Sequence, residues 1–246
     1  MNWKQRFSAM AVHSLFSLVL LSFALFLVFY FWYPAPLDQA MGVTNVFWII
    51  LVIDLILGPL LTFSVFNPKK KELKIDLLII ITIQFSAYFY GLYIVAQGRP
   101  VFQVFVVDDI ELVRKIDLKY PSGIEVDKAY YSHIFSKPQW ISAVYSSNPE
   151  ISKQQKQDEM FGNSLASRPE TYQPIELRNQ EILAKLKPLK KLSAFNTQAS
   201  MDQKLLPYRD KNIVGYLPVK GLDSDLTALF DNKGKPIAIV DLRPWN

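Results

Sequence analysis

The chain has 246 residues, half of them hydrophobic, and carries 27 Lys and Arg against 22 Asp and Glu. A net charge of +5, with the basic residues after Gly98 interleaved with acids, gives no footprint for nucleic acid. The absence of cysteine excludes disulfides, iron–sulfur clusters and cysteine-zinc sites.

Three long apolar runs come first, at residues 9–32, 46–66 and 75–96. A hydrocarbon core about 30 Å thick needs roughly 20 apolar residues in a helix. In that medium only a helix or a closed barrel satisfies its own backbone, and these runs lack the alternation of barrel strands. Residues 1–97 therefore read as a three-helix transmembrane anchor. The first run exceeds the roughly 7–15 apolar residues of a signal-peptide core. No small-x-small cleavage site follows it, so it is expected to remain as an anchor.

Lys4 and Arg6 precede the first run, residues 33–45 contain no Lys or Arg, and Lys69, Lys70, Lys71 and Lys74 separate the second run from the third. The positive-inside rule then puts the N-terminus in the cytoplasm, the first loop outside and the second inside. Everything after residue 96 is expected outside, in the periplasm of a Gram-negative inner membrane. Phe31, Trp32, Tyr33, Trp48, Tyr88, Tyr90 and Tyr93 fall toward the outer face, at the depth of an aromatic belt.

Asp54 interrupts the second run, at a cost of about 2.5–3.5 kcal/mol for a charge at a helix centre. Such a residue normally faces a bundle or a partner. Gly58 permits close helix approach, Pro59 removes a backbone donor, and Gln84 can hydrogen-bond across helices. Two readings stay open: Asp54 and Gln84 glue this chain's own helices together, or they recognise a membrane helix of another protein. A proton path or an aspartyl protease is disfavoured, because no second acid lies at the depth of Asp54. His13 reads as a packing residue. Asp76 can meet Lys70, Lys71 or Lys74.

Residues 98–246 suffice for one α+β domain with a mainly antiparallel sheet. Arg99 is positioned to snorkel to headgroups, and Pro100 stops the third helix. Strands are expected at residues 101–107 and 110–116. A helical turn fits 124–133, and 140–145 is a short helix or strand. A polar helix is expected at 153–165 after a turn at Asn148-Pro149. The clearest soluble helix is at 175–187, with acids early, lysines late and Pro188 as its stop. Strands at 213–219, 226–230 and 236–242 close the chain, with Gly234 supplying a positive φ in the last turn. Strands from both ends of the segment are expected to share one sheet. No HExxH, GxSxG, P-loop or GxGxxG is present. Asp223, Asp225 and Asp231 lack EF-hand spacing and read as a solvated acidic loop. No catalytic residue, metal site or cofactor is assigned.

Several stretches together resemble a known family. They are Trp32-Tyr-Pro-Ala-Pro-Leu37, Ile53-Asp54-Leu-Ile-Leu-Gly58-Pro59-Leu-Leu-Thr62, Lys70-Lys-Glu-Leu-Lys74-Ile-Asp76, Gln84, Tyr90-Gly91 and Arg99-Pro100-Val101. In this order they are similar to the type IV pilin accessory proteins of the TfpX/TfpZ type. The likeness is dense over residues 32–107 and extends softly to Tyr216-Leu-Pro218 and Asp241-Leu-Arg-Pro244-Trp245. Asp109 departs from it, since that family has an arginine after Asp108. The resemblance implies a non-enzymatic inner-membrane helper of type IV pilus biogenesis. Its partners would be the pilin subunit, the lipid bilayer and other pilus assembly proteins. It would act by chaperoning the pilin or modulating its stability or assembly. Asp54, Gly58, Pro59, Gln84, Gly91 and Arg99 become candidate contacts to pilin or within the bundle. The rival readings are a tethered periplasmic ligand sensor and a pilin-modifying transferase. The first lacks a cytoplasmic output module, and the second lacks the expected helices and acidic metal ligands.

Overall fold

A computed structural model describes residues 3–245 of the chain. Its contacts divide into two compact units, Met1–Phe31 with Val43–Gln97, and Trp32–Gly42 with Gly98–Asn246.

The first unit holds three helices long and apolar enough to cross a membrane: Trp3–Trp32, Val43–Val65 and Leu73–Gly98. Each shows lipid-compatible side chains over most of its surface and buries a narrow stripe. On the first span the stripe is Ser17, Leu21 and Ala24, at helical spacing. On the second it continues through Phe47, Ile50, Asp54, Gly58 and Thr62. On the third it is Ile80, Tyr88 and Val95. Small residues in these stripes allow backbones to approach, which is how helices gain contact where lipid is as apolar as leucine. In the polar turn before the third span, Lys70 pairs with Asp76.

The second span is not a uniform α-helix. Ile53–Leu57 forms a π-turn, in which Gly58 N–H donates to Ile53 O, five residues back. The carbonyl of Asp54 thereby loses the donor it would have in an α-helix. Pro59, one residue on, has no N–H to offer. A second π-turn, Leu27–Trp32, ends the first span.

The second unit is a seven-stranded sheet in the order β4-β3-β1-β2-β5-β6-β7. The strands are β1 (Pro100–Val106), β2 (Asp109–Arg114), β3 (Gln139–Ala143), β4 (Tyr172–Pro174), β5 (Ile213–Lys220), β6 (Leu226–Asp231) and β7 (Pro236–Val240). Four neighbouring pairs are antiparallel, while β1 with β3 and β2 with β5 run parallel. The β2–β5 pairing joins the early and late strands into one sheet, as expected. Both faces are covered. Phe105, Ile110, Leu217, Val219 and Phe230 pack against Ile175 and Ile182 on one face. Phe102, Val104 and Val106 pack against Leu165, Ala166 and Tyr172, and Tyr216, Leu229 and Val240 against Leu192 and Met201.

Three local expectations change. The polar helix starts at Pro149, because Asn148 Oδ1 caps the N–H groups of Glu150 and Ile151 and Pro149 suits the first helical position. The helix expected over 175–187 begins as a 3-10 turn, Ile175–Arg178, and its α-helical part is Asn179–Lys185. It stops before Pro188 because Lys187 exchanges both backbone hydrogen bonds with Tyr216. Residues 33–45, read as a connecting loop, are partly core. Leu37 and Ala40 sit in a single helical turn, Leu37–Ala40, packed into the main cluster of the sheet. Ala40 O accepts from the N–H groups of Leu222 and Asp223 at 2.9 and 2.8 Å.

Candidate functional site

The polar residues of the spans gather in one seam. Asp54 is only 6% exposed. The carbonyl freed by the π-turn accepts from Gln84 Nε2 at 3.3 Å, so the third span repairs the defect in the second. His13 Nδ1 lies 2.6 Å from Thr62 Oγ1, and Tyr88 donates its hydroxyl to Leu20 O at 3.0 Å. Together His13, Ser17, Asp54, Gln84 and Tyr88 line a cavity of about 30 Å³. One carboxylate oxygen of Asp54, Oδ2, is buried without a hydrogen-bond partner among the described residues. A buried acceptor left unsatisfied costs about 1–3 kcal/mol. Asp54 also borders a groove of about 250 Å³ between the second and third spans, with Ala87, Gly91 and Ile94.

Asp54, Gly58 and Gln84 are therefore brought together, and Pro59 lies buried beside Gly58. The two glycines already serve this chain's own packing. A Cβ on Gly58 would fall 1.9 Å from Gln84 Nε2, and one on Gly91 would fall 2.8 Å from Ile50 Cγ1. Sequence reasoning assigned Thr62 no role and placed Tyr88 in the outer aromatic belt, whereas the structure buries Tyr88 among the helices at 3% exposure. Thr62 lies two turns beyond Asp54 on the same stripe, which was the available signal.

Arg99 is not in this seam. The structure also departs from the snorkelling expectation, since the side chain is 3% exposed and turned inside the second unit. Its Nη1 donates to Ile134 O at 3.1 Å and its Nη2 to His133 O at 2.8 Å. The guanidinium carbon stands 5.2 Å from the centre of the Trp32 ring, and Trp32 Nε1 donates to Ile134 O at 2.6 Å. Burial lowers the pKa of Arg99 and raises that of Tyr33 nearby, whose shift is opposed by the charges of Arg114 and Arg99. Within the irregular segment 131–136 His133 O also accepts from Ser136 N–H at 3.0 Å and Ser136 Oγ at 2.7 Å, and the arginine fork meets this carbonyl and that of Ile134 at once.

At Asp109, where the resemblance has arginine, the carboxylate meets Lys220 Nζ of β5 at 2.6 Å. In the acidic loop two carboxylates hold nearby donors of this chain. Asp225 accepts from Gly221 N–H at 3.1 Å and from Trp245 Nε1 at 2.6 Å. Asp231 Oδ1 accepts from the N–H groups of Lys233 and Lys235. Among the described residues no cluster of His, Asp and Glu has the geometry to hold a metal ion.

A family model described as fimbrial assembly protein FimB matches residues 1–42. The chain is 33% identical over 214 residues to the serogroup E1 fimbrial assembly protein of Dichelobacter nodosus, covering 82% of this chain and 81% of that one. It is 33% identical over 198 residues to the serogroup I protein of that organism, covering 76% and 75%. To the protein of serogroups C1 and C2 it is 43% identical over 121 residues, which is 47% of this chain and 92% of the other. No solved structure matches it significantly. An identity of one third sustained over four fifths of both chains means that this membrane protein belongs to the fimbrial assembly protein family.

Proposed function

We propose that the chain is a non-enzymatic assembly factor of the inner membrane that binds the pilin subunit through its spans and assists its passage into the type IV pilus. The N-terminus lies in the cytoplasm and the sheet unit in the periplasm, following the basic, neutral, basic order of the flanking segments. The observation that carries the pilin reading is the Asp54 carboxylate, buried beside an inter-span groove with Oδ2 unsatisfied. In lipid a helix presenting a hydrogen-bond donor at that depth has a reason to bind there. Ala87 and Gly91, four residues apart, give the groove a low wall against which such a helix can lie. A second, weak contact from the periplasmic unit to the pilin head raises the effective concentration of the pair without any catalytic step.

The test is photocrosslinking from positions 54 and 84 in a strain that makes pilin. A pilin adduct is expected at both; adducts only within this chain reject the site. Asp54→Leu removes an insertion penalty of about 3 kcal/mol, so the protein accumulates at least as well as the parent. The same variant is expected to lose the pilin adduct and surface fibres, read by crosslinking from position 84 and by piliation counts. Normal fibres with Asp54→Leu would remove Asp54 from the mechanism, and normal fibres without the gene would remove the function itself.

A further inference from the structure

Residues 115–138 form a long irregular stretch whose only helical turns are Lys115–Asp117 and Lys128–Tyr130. Stretches of this kind inside a compact domain are uncommon and usually have a task. This one carries an unusual density of outward apolar side chains. Ile116 is 62% exposed, Ile134 56% and Phe135 58%, with Ile124, Tyr120 and Tyr131 also exposed. The rings of Tyr120 and Tyr131 stack at 4.9 Å, which gathers the two ends of the stretch.

The stretch is pinned to the two places where the chain leaves its membrane spans. Trp32, the last residue of the first span, donates to Ile134 O. Arg99, the residue after the third span, donates to Ile134 O and His133 O. Lys115 N–H donates to Arg99 O at 2.9 Å, which sets Ile116 one residue from the same exit. Ile134 and the neighbour of Ile116, Lys115, are therefore hydrogen-bonded to residues that directly end or follow a span.

We propose that this stretch is a membrane-interface foot, in which Ile116, Ile134 and Phe135 insert among the lipids of the leaflet where the first and third spans emerge. The occupant is lipid, because the residues that pin the stretch, Trp32 and Arg99, are the last residue of one span and the residue that follows another. Lys115, Lys119, Lys128 and Lys137 are nearly balanced by Asp117, Glu125 and Asp127, so apolar insertion rather than attraction to anionic headgroups does the holding.

The cysteine-free chain permits a direct test. Single variants Ile116→Cys, Ile134→Cys and Phe161→Cys of the full chain carry an environment-sensitive fluorophore in nanodiscs of phosphatidylcholine, with and without phosphatidylglycerol. Phe161 is the reference because it is exposed and lies outside the stretch. Labels at 116 and 134 are expected to emit to the blue, to be quenched by nitroxide-bearing lipids and to resist aqueous iodide, equally in both lipid mixtures. The label at 161 is expected to do the reverse. Aqueous behaviour at both 116 and 134 overturns the foot, and so does protection that arises only when pilin is added, which would make the surface a protein interface. Dependence on phosphatidylglycerol overturns the apolar mode of holding. None of these outcomes depends on pilin binding at Asp54.

Discussion

A methyl group on Gly58 would lie 1.9 Å from Gln84 Nε2, inside the contact that closes the π-turn. Gly58→Ala is expected to push Gln84 off the Asp54 carbonyl and lower the unfolding temperature in detergent. The hydrogen bond lost is worth about 0.6–2 kcal/mol between membrane helices. Adding Gln84→Ala makes room for the methyl group, so the double variant should be more stable than the sum of the two losses, and additivity would refute the contact. Arg99 offers a second residue-level test. Its two carbonyl contacts are part-buried and charge-assisted, each worth about 1.5–3 kcal/mol. Arg99→Lys keeps the charge but not the fork, and is expected to destabilise the sheet unit nearly as much as Arg99→Ala. Thermal unfolding followed by near-ultraviolet circular dichroism decides it, and rescue by lysine would show that charge alone matters.

At the scale of elements, the segment Trp32–Gly42 does more than connect two spans. Leu37 and Ala40 fill the same cluster as Phe105, Leu217 and Phe230, and Ala40 O receives backbone donors from Leu222, Asp223 and Ser224 of the β5–β6 connection. Close packing there leaves Gly221 no space, since a Cβ would come 2.9 Å from Ala40 O and 2.1 Å from Ser224 O. Residues 98–246 expressed alone should therefore be poorly stable, with the cluster open to water. Joining residues 32–42 to them should restore a cooperative transition. Leu37→Ala in that fusion is expected to cost about 2–5 kcal/mol, the usual range for a buried leucine. Equal urea midpoints with and without residues 32–42 would show that the segment is only a linker.

For the whole molecule, the sharing of one compact unit by residues 32–42 and 98–246 puts the first loop and the last domain on one side of any membrane the spans cross. That agrees with an odd number of crossings and with the lysine-rich turn on the other side. Alkaline phosphatase fused to the carboxy-terminal end is expected to be active and a fluorophore that matures only in the cytosol to be dark. The converse pair would place the sheet unit in the cytoplasm and remove pilin heads from its reach.

The sequence by itself determined whatever follows from local composition. Non-alternating runs of some 20 apolar residues read as membrane helices, and lysines at 69–71 and 74 with none at 33–45 give an expected order of crossing. The alternation and turn residues around Gly234 identified the last hairpin, where φ is +75°. Asp54 and Gln84 stood out because polar groups are costly in oil, and their pairing through a backbone carbonyl lies within what that cost suggests. Tertiary structure decided what depends on contacts distant along the chain. No local signal separates a loop that connects from one whose Leu37 enters a core built more than sixty residues later. Arg99 next to a span reads as a snorkelling cation until residues 133 and 134 arrive to accept its donors. The π-turn at Asp54 depends on Gln84, thirty residues away, to satisfy the carbonyl it frees, so hydropathy alone specified where the polar seam lies but not how its groups are paired.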